Sequence, residues 1–247
     1  MFQGMEMNSF YDEIASEYDQ LVQDDVNQNR FPYGAYEEMQ YQVADYIFSN
    51  KHITKAQVLD VGIGTGSLYE KIMPEKLELT GIDNSEKMLE IARFRLPESR
   101  LVNHNILKGM PIDIKDDHFD YIVVDYLFKH FDVKTIVSLI NQLVKKLAPF
   151  GKIFIGDIMF LDEGRKTAYL NANPDDLYPG YHYHSYSELI TKLDDDLALS
   201  FLEINQYTGL MIIEKYYENP LHFEESLIKY KTNTVKWKSN QTQKSRE

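Results

Sequence analysis

The 247-residue chain contains no cysteine. That absence removes disulfides, thiolate zinc sites and cysteine nucleophiles together. No stretch approaches the roughly 18 consecutive apolar residues of a membrane helix, so a spanning protein is not expected. Basic side chains are in short supply: 26 Lys and Arg against 39 Asp and Glu leave a formal charge of −13. A surface that acidic repels phosphate backbones and anionic lipid, which argues against nucleic acid or a membrane as partner. Met1 to Met7 have neither a basic n-region nor an apolar h-region, so no secretory signal is read there and a cytoplasmic protein is expected. What remains is an ordinary globular mix, 43% apolar and 26% charged, suited to one large domain.

Five apolar runs read as strands: Gln57–Val61, Leu77–Asp83, Arg100–His104, Phe119–Asp125 and Lys152–Asp157. Helical patterns lie between the early strands. Ser85 can cap a helix from Glu86 to Leu96 that buries Met88, Ile91, Ala92 and Leu96. Asp132 can cap the next, where Val133, Ile136, Val137, Ile140, Leu143, Val144 and Leu147 repeat at helical spacing. Pro149-Phe150-Gly151 then turns the chain into the fifth strand. A further helix is expected from Ser187 to about Leu193. Ala198–Tyr207 and Leu210–Tyr217 read as two strands joined by Thr208-Gly209, a hairpin that makes this end of the sheet antiparallel. Residues 1–50 look helical, with Tyr36, Met39, Val43 and Ile47 in one apolar stripe. Residues 218–247 form a polar, lysine-rich tail whose last part is expected to be disordered. The fold class is therefore α/β, a mostly parallel sheet with helices on both faces and an antiparallel C-terminal hairpin.

The strongest local signal is Asp60-Val61-Gly62-Ile63-Gly64-Thr65-Gly66-Ser67, between a strand and a helix. Glycines there let the backbone turn sharply and let a ligand approach closely. Asp83 ends the second strand, where a carboxylate can accept both hydroxyl hydrogens of an adenosine ribose. A dinucleotide and S-adenosylmethionine both carry that group. A dinucleotide fingerprint wants its last glycine at position 67, where this chain has serine. Asp60 suits a ligand with an amino-acid tail.

Here the chain resembles the small-molecule branch of the class I S-adenosylmethionine-dependent methyltransferases. The likeness rests on Leu59–Gly66, Gly81–Met88, Phe119–Val124, and Leu147–Ile153, which is similar to the family's leucine-x-proline-glycine-glycine turn. It spans roughly residues 10 to 217 and implies a Rossmann-like sheet of about seven strands. It also implies roles. Asp60, Gly62, Gly64 and Gly66 hold the methionine portion, Asp83 binds the ribose, and Asn84 and Met88 flank the adenine. Asn105 and Ile106 stand where the family contacts adenine, with Asn105 in place of the usual acid. Asp125 and Tyr126 face the sulfonium. Phe10–Asp19 is similar to an entry segment that folds over the cofactor, so residues 1–50 become a lid with Tyr11 and Tyr18 as candidates, although both could equally be core. The methyltransferase core would then run from 51 to 217, with an acceptor-side insertion at about 161–186.

Methyl transfer needs alignment and water exclusion more than an obligatory base. His130 matches a histidine that many small-molecule members carry after the fourth strand, and His182 or His184 are other candidate bases. Arg165, Tyr178, Tyr181 and His182 lie in the insertion that would shape an acceptor pocket. No metal is expected, because His182 and His184 have no third ligand in view. The expected reading is transfer of a methyl group to a small molecule with release of S-adenosylhomocysteine, by a monomer or homodimer. A non-catalytic S-adenosylmethionine-binding subunit and an NAD-dependent oxidoreductase stay open as alternatives.

Overall fold

The computed structural model describes residues 7–49, 55–70, 77–115 and 117–215. The tail from 218, with Trp237, lies outside the described residues. Alternating β and helical segments give the parallel strands β1 (Ala56–Val61), β2 (Leu77–Asp83), β3 (Arg100–Asn103), β4 (Phe119–Asp125) and β5 (Leu147–Phe160). A short β6 (His184–Ser185) pairs with the end of β5. The chain closes with β7 (Leu197–Glu203) and β8 (Thr208–Lys215), and the sheet runs β3-β2-β1-β4-β5-β8-β7 with β8 antiparallel to both neighbours. The order reverses beside β1, so a crevice opens at the carboxyl ends of β1 and β4, the usual place for a ligand in an open α/β sheet.

Side chains alternate through the sheet into two cores. Tyr121, Val123 and Phe154 face one layer, which Met39 and Val43 of helix α3 (Tyr36–Ser49) complete. Ile122, Val124, Ile153 and Ile155 face the other, against Ile136, Leu139, Ile140 and Leu143 of a later helix, Val133–Val144. The sequence also implied the caps: Ser85 Oγ accepts from the Met88 N–H at 3.1 Å, and an Asp132 carboxylate oxygen from the Thr135 N–H at 2.8 Å.

Between α3 and that helix come a short α4 (Ser67–Glu70) and α5 (Glu86–Arg95), which makes Val133–Val144 α6. Two more, α7 (Glu163–Ala172) and α8 (Tyr186–Ile190), follow β5, and α1 (Met7–Ile14) and α2 (Tyr18–Gln28) open the described chain.

Several boundaries differ from the sequence expectation. On α5 Leu89 is buried and Ile91 only half-buried. Strand β5 starts at Leu147, and Pro149-Phe150-Gly151 is an irregularity within it: the register to β4 shifts between Phe119 and Tyr121, with Phe150 at φ 64°. The insertion's helix starts at Tyr186 because Ser185 caps it, accepting from the Glu188 N–H at 3.2 Å. The hairpin turn lies at 204–207, where the Asn205 side-chain oxygen accepts from the N–H groups of Tyr207 (2.9 Å) and Thr208 (2.7 Å). An asparagine can supply such a turn without glycine. Gly209 instead sits within β8, where a Cβ would lie 2.2 Å from the Phe201 ring.

That turn has a measurable weight. Asn205→Ala leaves two N–H groups without their acceptor and should cost about 1–2 kcal/mol of unfolding free energy. Chemical denaturation reads this as a lower midpoint with an unchanged slope, and an unchanged midpoint contradicts the turn's role.

Candidate cofactor and methyl-transfer site

The cleft at the carboxyl ends of β1, β2 and β4 spans about 720 Å³, its open mouth included. From the loop after β1 come Gly62 and Gly64, both with positive φ (85° and 56°). A Cβ at Gly64 would meet nothing within 4 Å, so this glycine leaves open space beside the strand ends. Gly64 N–H donates to one Asp83 carboxylate oxygen at 2.9 Å and Ser85 N–H to the other at 2.8 Å. These bonds fix the carboxylate and leave each oxygen a further lone pair. Burial raises the Asp83 pKa, against the pull of those N–H donors.

Asn84 and Met88 line the same cleft, and so do Asn105 and Ile106 beyond β3. The Asn105 side chain caps the short turn at Ile106–Lys108, accepting from the Leu107 N–H at 2.9 Å. Asp125, Tyr126 and His130 arrive from the turn after β4, Tyr11 and Tyr18 from α1 and α2.

A second chamber of about 360 Å³ continues past Tyr18, Gly62, Gly64 and Asp125. Asp60 lies there, not in the larger cleft. Tyr36, Gln40 and Thr65 line it too and were not read as site residues. A signal existed for Gln40: it is a polar residue next to Met39, in the stripe that packs on the sheet, and it is buried to 3% exposure.

The electrostatics of the two chambers are unusual. Among the described residues, neither carboxylate oxygen of Asp125 has a hydrogen-bond partner, and the Oδ1 of Asp60 has none. Burial pushes Asp60 up to about 7, against the pull of the Tyr69 hydroxyl beside it and with the nearby Asp83 charge adding to the rise. Burial, then Asp60 and Asp157, raise Asp125 well above the carboxylate range. Buried carboxylates without partners call for a cation. S-adenosylmethionine carries two, an ammonium and a sulfonium, whereas the pyrophosphate of a dinucleotide would be repelled here. The residues present fit S-adenosylmethionine.

The N-terminal helices are tied down around this opening. The Tyr11 hydroxyl and His130 Nε2 are 2.8 Å apart. Asp12 accepts from Ser85 Oγ at 2.6 Å and from the Lys87 N–H at 3.2 Å. Asp19 accepts from Thr65 Oγ1 at 2.7 Å and pairs with Arg95 at 2.5 Å. Burial, then the Lys129 and His182 charges, push the His130 pKa down to about 2, so the imidazole is neutral.

Other expected site residues stand elsewhere. Gly66, at φ 75°, packs against α5, where a Cβ would lie 2.6 Å from Leu96 Cδ1, so its smallness serves the fold. Arg165 pairs with Glu203 on the surface and does not reach the cleft, because the start of α7 faces β7. Tyr178 is 41% exposed and stacks on Tyr181. Tyr181 stands one layer behind the cleft, its ring edge-on to His130 at 5.4 Å. His182 is exposed, its N–H held by the Lys129 carbonyl at 2.7 Å. His184 is buried, and its Nε2 donates to the Phe131 carbonyl at 2.9 Å, so it braces the turn. No group of three or more His, Asp or Glu side chains is poised for a metal among the described residues. No described helix is long and apolar enough to cross a membrane.

Comparison with known proteins decides the family. A family model described as a methyltransferase domain matches residues 58–151. An uncharacterized methyltransferase of Bacillus cytotoxicus is 31% identical over 160 residues, covering 65% of this chain and 71% of the relative. The chain belongs to the class I S-adenosylmethionine-dependent methyltransferases. A second uncharacterized methyltransferase, from Alkaliphilus oremlandii, is 28% identical over 85% of this chain and 98% of its own. Among solved structures, magnesium protoporphyrin IX methyltransferase of Synechocystis PCC 6803 with bound S-adenosylhomocysteine superposes with a TM-score of 0.65. It is 12% identical, over 83% of this chain and 96% of that one. The DhpI complex with S-adenosylmethionine superposes at 0.58, with 19% identity over 83% and 94%. As a methyltransferase of this family the chain takes S-adenosylmethionine as its cofactor, and the oxidoreductase alternative falls.

The raised Asp60 pKa gives the site a pH signature. Below about pH 7 Asp60 is largely protonated. A cationic ligand prefers the ionised form, so its affinity should rise with pH through 7. Calorimetry with S-adenosylhomocysteine should find binding about fivefold tighter at pH 7 than at pH 6. Asp60→Asn should flatten that rise, and an identical rise in the variant removes Asp60 from the ammonium's surroundings.

Proposed function

We propose that this methyltransferase acts on a small-molecule acceptor and releases S-adenosylhomocysteine. The observation that carries the reading is the closed end of the cleft. There Tyr11, Tyr18 and His130 cover the side beyond Asp125, and helices α1 and α2 are clipped across it. A polymer needs an open groove, whereas a compact acceptor fits a covered chamber. The charge of −13 disfavours polyanionic substrates as well. Among structural neighbours, one is a plantazolicin methyltransferase and another a magnesium protoporphyrin IX methyltransferase, neither named for a nucleic-acid acceptor.

When bound, S-adenosylmethionine supplies a methyl group already activated on a sulfonium. The roles of the residues follow from their positions. Gly62 and Gly64 allow close approach, Asp83 receives the ribose hydroxyls, and Asn84, Met88, Asn105 and Ile106 enclose the adenine. Asp60 faces the ammonium and Asp125 the sulfonium. Tyr11, Tyr18 and Tyr126 exclude water and present aromatic and phenolic surface to a positively charged centre. The lone pair of the acceptor's nucleophile forms the new bond to carbon in line with the departing sulfur, which keeps the electron pair. His130 is the candidate proton acceptor. Its neutral ring is hydrogen-bonded to the Tyr11 hydroxyl, and burial works against an imidazolium. The site therefore suits an amine or a pre-ionised nucleophile better than one that needs a strong base.

Three measurements test this. Saturating S-adenosylmethionine or S-adenosylhomocysteine, at about 100 times its Kd, should raise the Tm by about 5–10 °C, and NAD should not. Turnover on a panel of small amines, thiols and phenols, with none on RNA, DNA or protein, is the expected outcome, and methylation of a polymer alone sinks the proposal. Asp83→Ala should weaken S-adenosylhomocysteine at least tenfold while the far-UV spectrum stays unchanged, and unaltered affinity removes Asp83 from the ribose site.

A further inference from the structure

Lys129 is fully buried (0% exposed), yet it does not line the cleft. Burying an ammonium is costly unless the surroundings compensate it. Its compensation comes from three parts of the chain that together enclose the site. Nζ donates to the Tyr126 carbonyl, three residues earlier in the same turn. It stands 5.1 Å from the Tyr126 ring centroid, 5.3 Å from that of Tyr33, between α2 and α3, and 5.6 Å from that of Tyr181 in the insertion. Each ring offers a cation–π contact.

The carbonyl that Lys129 holds belongs to an unusual residue. Tyr126 has φ 49°, a left-handed conformation that a non-glycine residue adopts at a cost of about 1–3 kcal/mol. The Tyr126 N–H is held by the Gly156 carbonyl at 2.7 Å. The backbone ahead is held by Asp157 of β5, whose Oδ2 accepts from the N–H groups of Phe128 (2.6 Å) and Lys129 (3.1 Å). The left-handed twist at Tyr126 lets one turn present Asp125, Tyr126, Leu127 and His130 to the cleft together. Leu127 in turn backs the glycine loop, 3.4 Å from where a Cβ of Gly62 would stand.

We propose that Lys129 is a positioning residue for methyl transfer: its buried ammonium fixes the left-handed turn at Tyr126 and draws the N-terminal segment and the insertion onto it, so that Asp125 and His130 are aimed before ligands arrive. The inference rests on the cleft being the cofactor site, as in the reading above. Lys129 never touches cofactor or acceptor. It acts through the carbonyl and rings that it organises.

The charge on Lys129 is titratable near neutrality. Burial pulls its pKa down to about 8, against the Asp157 and Asp125 charges. The other groups around it come from every neighbouring element. Asp125, Tyr126 and His130 lie on its own turn, Asp157 on β5, Tyr33 between α2 and α3, and Tyr181 and His182 on the insertion. Burial raises the three phenols above their ordinary range, and His130 stays neutral. Asp60, with a pKa of about 7, is already half ionised at pH 7 and adds only about a twofold rise above it, so a fall in affinity between pH 7 and 9 reports Lys129.

The experiment is calorimetric titration of the full chain with S-adenosylhomocysteine from pH 7 to 9.5, for the wild type, Lys129→Met and Lys129→Gln. Wild-type affinity should fall about fivefold between pH 7 and 9, the net of the lost Lys129 ammonium and the remaining ionisation of Asp60. Lys129→Met should bind at least tenfold more weakly at pH 7 and lack that fall. Its Tm should lie within about 3 °C of the wild type, because an apolar chain of similar length replaces a costly buried charge. Titration of the ligand's own amino group is common to all three proteins and cancels. If Lys129→Met does not fold, Lys129→Gln and the wild-type limb carry the test. A wild-type limb that stays flat, or a variant that keeps both affinity and limb, overturns the proposal. A wild type that fails to bind S-adenosylhomocysteine at any pH overturns the cofactor reading beneath it instead.

Discussion

Four strands, β1, β2, β4 and β5, each deliver an aspartate to one edge of the sheet: Asp60, Asp83, Asp125 and Asp157. Burial raises the pKa of every one of them. Holding four like charges at the ends of adjacent strands is the constraint that the rest of the site answers. Asp157 spends its oxygens on three backbone N–H groups and so shapes the turn after β4. Asp83 spends part of its capacity on Gly64 and Ser85 and so fixes the glycine loop against β2. Asp60 and Asp125 keep unpartnered oxygens. The first two build the frame, and the second two define the charge of what the frame accepts.

A site made this way at the sheet edge would stand open to water without a cover. The cover is the N-terminal segment, clipped through Tyr11, Asp12 and Asp19 to points on the turn after β4, the cap of α5 and the glycine loop. Aromatic rings tie the cover to the insertion as well. Phe31 lies 5.6 Å from Tyr178 and 5.1 Å from Tyr207 between ring centroids. Of the 18 tyrosines, those at 11, 18, 33, 36, 126 and 181 thus gather in one part of the molecule, because each brings apolar bulk with a hydroxyl that a half-wet cavity wall can use.

Much of this was legible in the sequence, for local reasons. Alternating apolar runs and capping residues express short-range rules, so β2, β4, α5 and α6 emerged with boundaries close to those observed. The glycine loop and Asp83 were legible because the cleft's geometry demands those residue types at those places. Features decided by distant contacts were not. Asn205 rather than Thr208-Gly209 makes the hairpin turn, since Gly209 answers to the Phe201 ring across the pair of strands. Arg165 was drawn toward the acceptor by its place in the insertion, whereas Glu203 on β7 claims it. Gln40 hid in the stripe of a core helix. Lys129 drew no reading at all, because nothing local announces that Tyr33 and Tyr181 will close over it.

The same charge logic bears on how binding and folding are linked. Among the described residues, one carboxylate oxygen of Asp60 and both of Asp125 are buried without a hydrogen-bond partner, and such groups resist ionisation by taking up protons. A cationic ligand removes that penalty where it is largest, between two carboxylates that the fold already holds in place. Part of the binding free energy is therefore relief of strain in the apoprotein, and it is paid out only to a ligand with positive charge at both positions. With the proposed placement, loss of the methyl group would turn the sulfonium into a neutral thioether, so that Asp125 would lose its counter-charge while Asp60 would keep the ammonium. The product thus keeps one of the two electrostatic anchors and loses the other. An acidic pair of this kind favours the charged cofactor over its spent form, a direction that suits turnover in a covered site where product release must follow each transfer.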